Sequence, residues 1–131
     1  MRRGRRGGNA IEFALIAPVL FAILTGTMEY GWFLMNQILL DSTCREAARA
    51  GARAEPDDAL AVATTRANEY WDALGLPGTP TVISQWVSPE IPGHAMLVVQ
   101  GTLDYPGIVG MLAPTPPQVR AHVVTRSETA N

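Results

Sequence analysis

Apolar and polar positions change their spacing several times along this chain. Phe13 to Met28 is a run of sixteen residues without a charge. Glu29-Tyr30-Gly31 follows, then Trp32 to Met35 and, past the polar pair Asn36-Gln37, Ile38 to Leu40. At about 1.5 Å of rise per residue the uncharged run covers most of a hydrocarbon core roughly 30 Å thick, and Trp32, Phe33 and Leu34 supply the rest. Pro18 and Gly26 are better tolerated in a membrane helix than in a soluble one, although Pro18 removes a backbone donor and favours a kink. From Asp41 the composition turns to Ala47, Ala48, Ala50, Ala52 and Ala54, all good helix formers. One helix from near Asn9 to Ala54 is expected.

Glu55-Pro56-Asp57-Asp58 reads as a restart, with proline at the first helical position and two acids in the first turn. Leu60, Ala63, Ala67, Tyr70 or Trp71, and Leu74 recur at three and four, which predicts an amphipathic helix ended by Gly75 and kept closed by Pro77. Tyr70 and Trp71 are expected in helix packing. The spacing then becomes that of strands: Thr81 to Val87, Met96 to Leu103, and Val119 to Thr125. In the last, Val119, Ala121 and Val123 share one face while Arg120, His122 and Val124 share the other. Residues 88–94 are expected to close a hairpin. The Pro/Gly-rich connection from Asp104 to Gln118 holds Ile108, Val109, Met111 and Leu112, expected to pack on the sheet. The fold class is α+β: a long N-terminal transmembrane helix, a second helix and a small three-stranded antiparallel sheet.

Charge orients this plan. Arg2, Arg3, Arg5 and Arg6 precede the apolar run, so by the positive-inside bias the N-terminus is expected in the cytoplasm and the C-terminal part across the inner membrane, periplasmic or extracellular. Tyr30 and Trp32 are ring types that sit at headgroups and mark the outer interface. The chain thus divides into a basic leader (1–7), a transmembrane helix region (8–40) and a polar α+β domain (41–131). Its formal charge is −2, but from Gly8 onward six arginines stand against all twelve acids, which leaves that portion near −6. No basic patch large enough for nucleic acid follows the leader.

Other candidate chemistry is sparse. Cys44 is the only cysteine, so no intramolecular disulfide forms, and a small packed helix residue is the expected role, with an intermolecular bridge as the alternative. His94 and His122 have no Cys, His or paired acid at metal-ligand spacing. Ser84, Ser88 and Ser127 lie in no nucleophile motif, and no phosphate-binding loop follows a strand. No metal, no cofactor and no enzymatic activity are expected. Arg45, Arg49 and Arg53 form a basic row at four-residue spacing, either a solvated face or a contact for an acidic partner subunit. Ala47, Ala50, Gly51 and Ala54 would let another helix come close. A cleaved secretory signal competes for the N-terminus, but the apolar run is long and no Ala-x-Ala-like site lies between Thr25 and Gly31.

Glu12 stands at the start of the apolar run. Deep in a bilayer a carboxylate costs on the order of 3 kcal/mol and calls for a partner; at the interface the positive end of the helix dipole favours it without one. In its setting, this residue carries a family resemblance. Arginines, Gly7, four residues, Glu12-Phe13 and a long apolar helix resemble the cleavage region of type IV prepilins, specifically the TadE-like pseudopilins of the tight-adherence (Tad/Flp) pilus system. The likeness continues through Phe13-Ala14-Leu15-Ile16-Ala17-Pro18, Glu29-Tyr30-Gly31 and Ala47 to Arg53.

The resemblance implies a pseudopilin, minor and pilin-like, taking part in a surface-adhesive pilus or secretion filament. It implies that a prepilin peptidase cuts after Gly7, with Gly8 directly following as the neighbouring possibility, and that Glu12 and Phe13 serve assembly. The partners it implies are the membrane, the peptidase, other pilin or pseudopilin subunits and the Tad assembly machinery. The alternative is an uncleaved single-pass membrane protein acting as a periplasmic interaction module of an envelope complex.

Overall fold

The computed structural model describes residues 6–87, 95–105, 107 and 118–126. Helix α1 spans Arg6–Arg53, 48 residues, which at about 1.5 Å each makes a rod about 72 Å long. The helix continues through Pro18. Five of its polar side chains are satisfied by its own backbone. The hydroxyls of Thr25, Thr27, Ser42 and Thr43 donate to carbonyls four residues earlier, as does the Asn36 amide to Trp32 O at 2.8 Å. Each polar group then carries a partner with it into an apolar environment, where an unpaired one would cost several kcal/mol.

Helix α2 covers Ala59–Leu74, starting one turn later than proline at a first helical position would give. Pro56 to Asp58 instead form a turn, in which the Glu55 carbonyl accepts from both Asp58 N and Ala59 N at 3.0 and 2.9 Å. The two acids therefore precede the first helical turn. The far end follows the sequence signals: Gly75 takes the left-handed conformation at φ 63° and its N–H donates to Asp72 O.

Strands β1 (Thr81–Val87), β2 (Met96–Asp104) and β3 (Gln118–Arg126) form one antiparallel sheet in the order β1-β2-β3. The register sets Val82 opposite Gly101 and Gly101 opposite Ala121. Alternation places Leu97, Val99, Leu103, Val119 and Ala121 in the core, while Arg120, His122 and Val124 are exposed. The helices lie side by side on one sheet face, with α1 over β2 and β3 and α2 against α1 and β1. Residues 88–94, Ile108, Val109, Met111, Leu112 and Ser127 lie outside the described residues.

The body's core is built around Leu40, Cys44, Ala47 and Ala48 of α1, Ala63, Ala67 and Trp71 of α2, and the inward strand residues. Trp71 is the largest buried side chain, and its indole N–H donates to Gly78 O at 2.9 Å. Removing such a ring from water is worth roughly 4–6 kcal/mol by area, while the hydrogen bond keeps its one polar atom from opposing burial. Ser84 joins the sheet to α2: its hydroxyl lies 3.0 Å from Thr64 Oγ1 and donates to Leu60 O at 3.0 Å.

Two glycines set the distances between layers. A Cβ at Gly101 would lie 2.7 Å from Cys44 Sγ and 3.0 Å from Leu40 Cδ1, so α1 can rest on β2 only because that position carries no side chain. A Cβ at Gly51 would meet Leu97 Cδ2 at 2.6 Å and Ala59 O at 2.9 Å. The small-residue face of Ala47 and Gly51 is thus filled by this chain's own α2 and β2. It is not a vacant seat for another subunit's helix.

Candidate functional site

From Ala10 to Met28 the helix stands clear of the body. Phe13, Leu15, Phe21 and Ile23 are each more than 60 % exposed, and most of their neighbours on every side of the rod are exposed as well. A helix apolar all round and unburied within its own chain needs another apolar medium, which a bilayer or a bundle of like helices provides. The helix is long and apolar enough to cross a membrane. Glu12 lies exposed at the foot of this surface, one residue before Phe13, and among the described residues it has no partner. Gly7 and Gly8 fall in the first turns of α1.

On the body-facing side the exposed surface gives way at Glu29, which is only 2 % exposed, while Tyr30, Leu34, Met35 and Ile38 stay exposed on the side away from the body. Tyr105, at the end of β2, reaches down to it: the hydroxyl lies 3.1 Å from Glu29 O and 3.2 Å from Glu29 Oε1, sharing its one proton between them. Phe33, one helical turn higher, forms a T-shaped pair with the Tyr105 ring, centroids 5.4 Å apart and planes at 88°. Burial, reinforced by the Glu29 carboxylate, pushes the Tyr105 hydroxyl up to about 12. Just above, Gln37 Nε2 donates to Arg120 O at 2.8 Å, so an α1 side chain occupies an outward carbonyl of the sheet's edge strand. Together these contacts tie the lower rim of the body to the helix where the free apolar run stops.

Sequence reasoning missed this tie. A carboxylate after an uncharged run was the visible signal, but the pairing with Tyr105 spans 76 positions and leaves no local pattern. Trp32, expected at the headgroups, packs partly against the core, whereas Tyr30 is exposed and 6.0 Å from Phe33. Of the row Arg45, Arg49 and Arg53, all exposed, Arg45 pairs with Asp41 at 2.8 Å. Cys44 is fully buried against the sheet. Among the described residues no group of His, Cys, Asp or Glu is placed to hold a metal ion; His122 is exposed on β3, and His94 lies outside them.

A long apolar helix that is free below and serves as a core helix above, joined to one small sheet, fits an α+β membrane protein with a single candidate membrane-spanning helix. Comparison with protein families narrows this class. The TadE-like protein family model matches residues 7–49, and over that segment the chain is similar to it. That family is a structural one associated with the Tad pilus, and the likeness suggests a Tad pilus-associated, pilin-like protein. No curated protein and no solved structure matches the chain.

Proposed function

We propose that the chain is a pseudopilin subunit, minor and pilin-like, that takes part in assembling a Tad/Flp-type pilus or secretion filament after its leader is removed. In this reading residues 1–7 are the basic leader, 8–40 the transmembrane helix region and 41–131 the periplasmic or extracellular domain. It has no catalytic role. The observation that carries the reading is the free apolar segment of α1 with Glu12 at its foot. A mere anchor needs the apolar residues, but it does not need a carboxylate beside them.

The arginines hold the leader at the cytoplasmic face while Phe13 onward is fixed in lipid, which presents Gly7 to a membrane peptidase. Gly7 lacks a side chain, so its backbone fits a narrow peptidase cleft. The cut after Gly7 creates an amino terminus at Gly8, four residues before Glu12. In a bundle of helices the Glu12 carboxylate pairs with that terminus on a neighbour, which offsets its burial and sets the register between subunits.

Intact-mass measurement of protein extracted from membranes of cells that contain the peptidase tests this. The expected mass is that of a chain beginning Gly8-Asn9-Ala10-Ile11-Glu12, and Gly7→Val should retain the leader. A full-length mass with Arg2 to Arg6 still attached would favour an uncleaved single-pass module of an envelope complex.

A further inference from the structure

The helix layer gives the body two unlike flanks. On one side of α1 lies the edge strand β3, and between them runs an open groove of about 370 Å³ lined by Arg45, Arg49, His122 and Val124 among others. On the other side lies α2, with a second groove lined by Ala50, Asp58, Ala61 and Val62. Arg49 lines the first groove, and Arg53 follows one helical turn further along α1. The turn Glu55-Pro56-Asp57-Asp58 leads from α1 over to α2; its three acids are exposed, and Asp58 lines the second groove. Among the described residues none of these two arginines and three acids has an ionic partner within the chain, although Arg45, Glu46, Arg66 and Glu69 all do.

We propose that the α1/β3 flank, through Arg49 and Arg53, binds the acidic Glu55-to-Asp58 turn of a second copy of this chain lying beside it in the membrane. Complementary charge identifies the occupant, since the chain carries both halves of the contact and satisfies neither internally. Height supports it as well. Arg53 ends α1 and the turn follows directly, so both halves lie at the same level above the apolar run. Two copies held at one depth by their membrane helices bring those levels together without either shifting along its axis.

The two halves are different surfaces, so the contact is head-to-tail. In a pair, one copy keeps an unused acidic turn and the other an unused basic flank, so the association stays open to further copies. Exposed ion pairs contribute little affinity one by one, but a complementary row fixes which flanks meet and suppresses the reversed pairing. The contact forms in the membrane and does not depend on leader removal, so it stands or falls separately from the proposed assembly role.

The test uses the full-length chain in membranes, with two differently tagged forms produced together, one Arg49→Cys and the other Asp57→Cys. Both positions are exposed, and the native Cys44 is buried. Oxidation should give a dimer carrying both tags, while either form alone gives none. Adding Arg53→Glu to the Arg49→Cys form should lower the mixed dimer by about tenfold, and adding Asp58→Arg to its partner should restore it. Raising salt should weaken it too, as the screening length shrinks from about 10 Å at 0.1 M to about 3 Å at 1 M. Absence of a mixed dimer, a dimer from Arg49→Cys alone, cross-linking only to a different protein, or failure of the charge swap to restore it would each overturn the proposal.

Discussion

Tyr105 Oη stands 3.2 Å from Glu29 Oε1 and 3.1 Å from the Glu29 carbonyl oxygen, joining the end of β2 to a helix residue 76 positions earlier. Below that contact α1 is free of the body; above it one face of the helix becomes part of the core. Tyr105→Phe keeps the ring against Phe33 and removes only the hydroxyl, leaving a buried carboxylate with one donor fewer. We expect a loss of about 1–3 kcal/mol, read by denaturant unfolding in detergent, and a rise in hydrogen exchange confined to the rim around Glu29 and Tyr105. An unchanged unfolding midpoint would show that the hydroxyl contributes nothing.

The same hydroxyl should titrate late. Its ordinary value is near 10, and burial beside Glu29 raises it to about 12. A raised value in the folded state means that stability is fully present below the unfolded value and is lost as pH rises through the folded one. The body should therefore be indifferent to this group up to about pH 10 and weaken progressively toward pH 12. Ultraviolet titration of tyrosinate, wild type minus Tyr105→Phe, should isolate one tyrosine with the high value.

Gly101→Ala should strain the layer contact, because the new methyl would lie 2.7 Å from Cys44 Sγ. Overpacking of this kind costs about 1–3 kcal/mol. Cys44→Ala by itself removes a well-packed sulfur and also destabilises, yet in the Gly101→Ala background it relieves the shortest contact and leaves only those to Leu40, at 3.0 and 3.3 Å. The double variant should thus be more stable than the sum of the single losses, with a coupling of about 0.5–3 kcal/mol. Simple additivity across the four proteins would refute the contact.

Buried against Gly101, the Cys44 thiol should be blocked in the native chain. Maleimide labelling is expected to be negligible under native conditions and to follow unfolding when denaturant is added. Rapid native labelling would place the thiol at the surface and reopen the intermolecular bridge.

For Glu12 the discriminating substitution is Glu12→Gln, which keeps size and removes charge. We expect normal membrane insertion and leader removal but loss of incorporation into filaments, scored by immunoblot of sheared surface material. Normal incorporation would exclude pairing with the Gly8 terminus as the step that sets register.

Most of the secondary structure was legible because each element carries its own period. The uncharged run, the three-and-four spacing from Leu60 to Leu74 and the alternation from Val119 to Thr125 correspond to α1, α2 and β3. What escaped depends on residues meeting across the fold. The face of Ala47 and Gly51 reads the same whether the neighbour is another subunit or this chain's own α2, and only the fold decides for α2. Helix α2 begins late because Glu55 O captures two donors in a turn, a competition that composition does not reveal. The roles proposed for Glu12 and the glycines before it rest on a motif, whereas the importance of Glu29 emerges only with Tyr105 in place.

Because α1 passes from its free segment into the core without a break, there is no joint between anchor and body. The distance from Ala10 to Glu29 is about 28 Å along the axis. A membrane helix tilts by about 20° on average to fit its hydrophobic length to the lipid, which would carry the body sideways by about 10 Å. A thinner bilayer would lean the body over and a thicker one would stand it upright. Lipid thickness thus acts as a mechanical input, with α1 as the lever that converts it into the position of the sheet.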